Sequence, residues 1–312
     1  MSDRSFSIIG SYKTKNNIEK VAGVIFTLCA LFAVLAVFSI SIYMIISGTP
    51  AIFEVGLKDI LFGRVWTPNA AQPSYGILYI ILTSIIGTFL AILIGVPIGV
   101  LTAVFLAETA PRSLAAIVKP AVELLAGIPS VIYGLLGILV LNPFIYKMEM
   151  ALFKDDPNHQ FTGGSNLISA VLVLAIMILP TVINISESSL RAVPHYYKQA
   201  SLALGATHIQ TIFRVLIPAA KSGIVTAIVL GVGRAIGEAM AISLVAGNGA
   251  NFPLPFNSVR FLTTAVVSEM SYATDTHRDV LFTIGLVLFA FIILINLILN
   301  KVMKGGNKDG DS

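Results

Sequence analysis

Arg234 and Glu238 stand four residues apart in Gly231-Val-Gly-Arg-Ala-Ile-Gly-Glu238, inside a stretch otherwise apolar enough to cross a bilayer. An ionisable side chain near the centre of a membrane helix costs roughly 2.5 to 3.5 kcal/mol on insertion scales. It is therefore expected to face a protein interior or a water-filled path, with a partner. At about 1.5 Å rise per residue, this spacing predicts two charges stacked on a single helix face. A guanidinium offers forked donors and a permanent charge that suit an oxyanion, and a carboxylate can balance it when no anion is bound. A permanent intrahelical ion pair that only eases insertion fits the same spacing, and the residue types leave both readings open.

No other local signature competes with this pair. The chain lacks Gly-x-x-x-x-Gly-Lys-[Ser/Thr], His-Glu-x-x-His, Gly-x-Ser-x-Gly and any cysteine cluster. Nucleotide hydrolysis, zinc proteolysis and acyl transfer thus have no recognisable site, and neither a catalytic residue nor a metal ligand set is expected. The four histidines, His159, His195, His208 and His277, fall in predicted loops. An intramembrane enzyme built on Glu238 would need a second acid or nucleophile in the same span, and none is present.

The elements that position the pair follow from hydropathy. Of 312 residues, 56% are hydrophobic and 12% charged, and the mean hydropathy is +0.89, which defines an integral membrane protein. Uncharged runs at 21–46, 76–106, 163–185 and 280–300 are each long enough to cross about 30 Å of hydrocarbon as helix. Two further spans carry charge: 124–141, with Glu123 at its start, and 222–244, which contains the pair. The expected fold is all-α, a polytopic membrane protein of six transmembrane helices. A leader at 1–20 precedes a six-span transmembrane domain at 21–301, and a tail follows at 302–312. The leader and the long first apolar run read as a retained span rather than a cleavable signal peptide. Cys29 lies in that run without a partner and is expected to pack.

Basic residues test the topology, because positive charge is disfavoured on the translocated side. In the six-span arrangement thirteen Lys and Arg fall on one side and six on the other, leaving Arg234 alone within the membrane. Both termini are therefore predicted in the cytoplasm. The net charge of +4 is spread over loops rather than gathered on a basic, aromatic-bearing face, so no nucleic-acid partner is expected. Outer loops at 48–74, 142–163 and 246–279 carry Trp66 and acidic residues, a composition that suits both an interfacial girdle and docking of a soluble partner.

Two other features bear on motion and contact. Gly95-Val-Pro97-Ile-Gly99 and Gly127-Ile-Pro129 place small residues and prolines where helices either approach closely or hinge. The loop at 187–221 reads as two short helical pieces around Gly205, with Ile209, Ile212, Phe213 and Leu216 on one apolar stripe before Pro218. Such a hairpin can contact another protein or lie on the bilayer surface.

Within that loop, Gln199-Ala200-Ser201, three residues, Gly205, nine residues, then Val215-Leu216-Ile217-Pro218 resembles the Glu-Ala-Ala, three, Gly, nine, Ile-x-Leu-Pro coupling loop of ATP-binding-cassette importer permeases. It departs by Gln199 for Glu, Ser201 for Ala and Val215 for Ile, and Gln199 removes a charge from the docking surface. Together with the segments at 127–134 and 231–241, nearly the whole chain is similar to the permease subunit of phosphate importers of the PstC type. The resemblance implies a type I importer bundle whose loop docks on a cytosolic ATPase. It implies as partners a sister permease of the PstA type, two ATPase subunits that bind ATP and Mg, and a periplasmic phosphate-binding protein, with no cofactor on this chain. It also implies that Arg234 and Glu238 line the translocation path for phosphate. Related expectations are a permease for another oxyanion such as sulfate or molybdate, or an ion-gradient secondary transporter.

Overall fold

The computed structural model describes residues 12–306; positions 1–11 of the expected leader and 307–312 of the expected tail lie outside the described residues. Five helices are long and apolar enough to cross a membrane, or six if a pair bent by 70°, His208–Ala219 and Lys221–Gly237, counts as one span. In chain order the helices are α1 (Tyr12–Ala51), α2 (Leu57–Phe62), α3 (Leu78–Thr109), α4 (Arg112–Gly127), α5 (Ser130–Phe153) and α6 (Leu167–Arg191). They continue with α7 (His195–Ala203), α8 (His208–Ala219), α9 (Lys221–Gly237), α10 (Met240–Val245), α11 (Leu262–Glu269) and α12 (Asp275–Gly306). A two-stranded antiparallel ribbon, β1 (Trp66–Thr67) with β2 (Ser74–Tyr75), precedes α3.

The centre of the bundle is α6, which packs along α3 and α9. Its core side chains, including Val171, Leu174, Met177 and Ile178, are buried against α3, α5 and α10. Small residues on the neighbours make this closeness possible. A Cβ on Gly95 would stand 2.7 Å from Ile178, one on Gly99 2.8 Å from Val182, and one on Gly231 3.0 Å from Val182. Around Pro97 the glycines therefore serve close packing, the geometry that small residues permit between membrane helices. The outermost helix, α1, touches the rest chiefly through α12: Tyr43 meets Phe282 edge-on at 5.5 Å, and the Thr283 hydroxyl donates to the Gly48 carbonyl at 2.8 Å.

Several sequence expectations shift. The third span is α5 rather than 124–141, because Ile128 and Pro129 are extended and separate α4 from α5. A residue before proline is held out of the helical region, and proline fits the start of the next helix. Most of the supposed outer loop at 142–163 is consequently the last three turns of α5. Cys29 is exposed on α1 instead of packed. His277 lies in the first turn of α12 and is buried, while His195 and His208 begin α7 and α8.

Candidate functional site

Arg234 projects from α9 roughly 20 Å along the helix from Lys221, and its side chain is half-buried. Its Nη1 donates to the Thr181 hydroxyl of α6 at 3.3 Å. A guanidinium has five N–H donors, and among the described residues no other protein acceptor and no carboxylate meets it.

Glu238 is not stacked on Arg234. α9 ends at Gly237, and Glu238 is extended at φ −75°, ψ 124°, before α10 begins. Its Oε1 accepts the Ala241 N–H at 2.9 Å, and its carbonyl accepts the Thr263 hydroxyl at 2.8 Å. The first N–H groups of α10 have no intrahelical acceptor, so a carboxylate beside them satisfies one and interacts favourably with that helix end. The expectation of one continuous face fails because the span breaks between the two charges.

At one end of the bundle, α7 and α8 form the hairpin expected from the loop. Gly205 turns the chain at φ +85°, a conformation costly for a residue with a Cβ. Thr207 then caps α8 reciprocally with Gln210. Ile212 and Leu216 are buried against Ala103, Val104 and Leu190, whereas Ile209 and Phe213 are exposed, so the predicted apolar stripe divides between anchor and tip. Leu204, at the tip, is 90% exposed. Of the motif residues, Gln199, Ala200 and Pro218 are exposed, Val215 and Ile217 half-buried, and Ser201 hydrogen-bonds Thr211 at 2.9 Å. The hairpin is fastened to the bundle by Lys198 to Glu108 at 2.5 Å. Nearby, buried Glu187 pairs with Arg191 at 2.6 Å and Lys119 at 3.4 Å. A crevice of about 670 Å³ opens between the end of α6, the hairpin and the start of α9, lined in part by Ser189, Tyr197, Arg214 and Ser222. Gly127 and Pro129 sit at the α4–α5 break, and a Cβ on Gly127 would meet nothing within 4 Å.

The opposite end holds two buried clusters that sequence reasoning missed. Glu269 closes α11 and accepts from Trp66 Nε1 at 3.2 Å, His277 Nε2 at 2.9 Å and Arg260 Nη1. Arg260 Nε also donates to the Asn248 carbonyl at 3.0 Å. Glu149 accepts from the Thr162 N–H and from His159 Nε2, each at 3.0 Å. Burial, reinforced by the Glu269 charge, pushes the Tyr272 phenol up from its usual 10.0, and burial with Glu54 does the same to Tyr75. The partners come from separate segments, Trp66 and Glu269 being 203 positions apart, so no local spacing betrays them.

Five to six apolar helices able to cross a membrane, one of them bearing a half-buried arginine, define a polytopic membrane protein. Residues 95–305 match the family model of the binding-protein-dependent transport system inner membrane component, and the chain belongs to that family. It is 37% identical over 301 residues to the probable ABC transporter permease protein YqgH of Bacillus subtilis, covering 93% of this chain and 94% of that one. It is 34% identical to the phosphate transport system permease protein PstC of Haemophilus influenzae, over 88% and 90% of the two chains. Identity to PstC of Pasteurella multocida is 32%, over 88% and 91%. In fold it is similar to the inward-facing MetNI methionine ABC transporter, with a TM-score of 0.56 at 19% identity over 74% of this chain and 95% of that chain. As a family member the chain is a multi-pass inner-membrane subunit that works with a substrate-binding protein and an ATPase.

Proposed function

We propose that this chain is the PstC-type permease subunit of an ATP-driven importer, forming half of the path through which inorganic phosphate crosses the inner membrane. The observation that carries the reading is the state of Arg234. A half-buried guanidinium at membrane depth holds one long hydrogen bond to a neutral hydroxyl and no counter-charge among the described residues. Such a charge is costly unless water or an anion meets it, and charge-assisted bonds to phosphate oxygens are its strongest available interactions. The relatives named as phosphate permeases support phosphate as that anion. Glu238 borders the same path at the helix break. Its Oε2 makes no protein hydrogen bond among the described residues, and its negative charge shortens the anion's stay beside Arg234.

The partners of this reading are a PstA-type sister permease, two ATPase subunits that bind ATP and Mg, and a periplasmic phosphate-binding protein. This chain itself holds no cofactor. The distribution of Lys and Arg supports an orientation with both termini and the α7–α8 hairpin in the cytoplasm. There the apolar tip, Leu204, Ile209 and Phe213, docks on an ATPase through Gln199, Ala200, Ser201, Gly205 and the Val215-to-Pro218 segment. Because α8 runs into α9, displacement of the tip reaches Arg234 along one chain segment. Pro97, Gly127 and Pro129 are candidate hinges, of which Gly127 has the space to move.

Labelled phosphate uptake by the Arg234→Gln variant tests the site. Uptake is expected to disappear while the subunits still co-purify; normal uptake by this variant would remove the reading. Competition by unlabelled sulfate and molybdate identifies the anion: inhibition by phosphate alone is expected, and inhibition by sulfate at equal concentration would reassign it.

A further inference from the structure

On α6 the residues Thr181, Asn184 and Ser188 follow at spacings of three and four, which aligns them on one helical face. Thr181 is half-buried and accepts from Arg234. A hydroxyl that accepts there keeps its own proton for another acceptor. Asn184, one turn nearer the hairpin end, is also half-buried, and its side-chain amide makes no hydrogen bond to protein among the described residues. An amide turned towards hydrocarbon without a partner costs several kcal/mol, so this face is not a lipid face: it borders water, a polar ligand or the sister permease, and slowing by phosphate in the test below separates these.

The surroundings of α6 support that assignment. Its other accessible face carries Ile176, an apolar side chain suited to lipid. α9 approaches through Gly231 against Val182, leaving the Thr181 and Asn184 side accessible. The nearest acid on α6, Glu187, is turned into its pair with Arg191 and Lys119, so its charge is compensated.

Resting on the reading of Arg234 above, we propose that Thr181 and Asn184 extend the anion path from Arg234 towards the cytosol. Thr181 is a positioning residue. It holds the guanidinium across the α6–α9 interface and turns its own proton to the anion. Asn184 is the next contact, donating from its amide nitrogen as the anion leaves Arg234, and Ser188 lies at the exit.

Cysteine accessibility in the assembled importer separates this proposal from its premise. In a Cys29→Ser background, Asn184→Cys and Ile176→Cys are treated in inside-out vesicles with anionic and cationic methanethiosulfonates. Modification of Asn184→Cys is expected, several-fold faster with the anionic reagent, slowed by inorganic phosphate and losing its charge preference when Arg234→Gln is added. Ile176→Cys should stay unmodified. An inert Asn184→Cys, or one that phosphate does not slow, overturns the role of Asn184.

The positioning role of Thr181 is read separately. Thr181→Val should lower phosphate uptake at least tenfold while ATP hydrolysis and subunit assembly persist, and Thr181→Ser should restore uptake. Normal uptake by Thr181→Val, or parallel loss of assembly, removes that role. A fully active Arg234→Gln would instead remove the premise.

Discussion

Replacing Gly95 by alanine tests whether the α3–α6 contact holds the bundle together. The added methyl would sit 2.7 Å and 2.8 Å from Ile178 Cδ1 and Cγ1, and 3.0 Å from the Ala175 carbonyl oxygen. The tip of Ile178 can rotate away, but the Ala175 oxygen belongs to the α6 backbone and moves only with the helix. Reaching ordinary contact at about 3.4 Å requires the helices to part by about 0.4 to 0.7 Å. Overpacking of this kind costs about 1 to 3 kcal/mol, because a displaced helix loses dispersion contacts along its length. The assay is the midpoint of thermal unfolding of the detergent-solubilised complex, followed by fluorescence-detected size exclusion. Gly127→Ala, whose methyl meets nothing within 4 Å, is the control. Gly95→Ala should lower the midpoint by several degrees while Gly127→Ala leaves it within a degree. Equal midpoints for both variants would refute the packing argument.

Two further predictions concern the ends of the bundle. Glu269→Gln should destabilise the complex by about 3 kcal/mol, the lower end of the cost of breaking a buried pair, because Arg260 retains its bond to the Asn248 carbonyl; a thermal midpoint unchanged from the parent would show the cluster to be dispensable. Gly205→Asp should block phosphate uptake without loss of membrane insertion, since a residue with a Cβ is strained at φ +85°, and uptake equal to the parent's would count against the hairpin as the coupling element.

Much of the architecture is legible in the residues because the bilayer enforces it. Runs of about twenty apolar residues are a consequence of hydrocarbon thickness. The α7–α8 hairpin is legible for a different reason: Gly205, Thr207 and Gln210 form a turn and a capping box within six residues, so local chemistry suffices. Hydropathy fails where a span is interrupted without becoming polar. Ile128-Pro129 and Gly237-Glu238 both break helices inside stretches that average as apolar, which moved the third span and separated the two charges. The clusters around Glu269 and Glu149 were illegible because burial of an acid depends on long-range partners, and charged loop residues in sequence read as solvated.

The break at Glu238 alters what the two charges can do. On a continuous helix their separation would be fixed near one turn, and a permanent ion pair would be the natural outcome. In the structure Arg234 belongs to α9, which follows directly from α8 and is packed on α6, whereas the Glu238 carboxylate is bound to the first turn of α10. α10 in turn packs against α5, with Gly134 admitting it so closely that a Cβ there would stand 2.9 Å from the Ala241 Cα. The two charges are therefore fastened to different helices through one extended residue. Any tilt of α9 relative to α10 changes their separation, and through α8 such a tilt is connected to the hairpin. The extended residue that removes the static ion pair leaves the distance between guanidinium and carboxylate dependent on how α9 and α10 sit, whereas an unbroken helix would fix it near one turn.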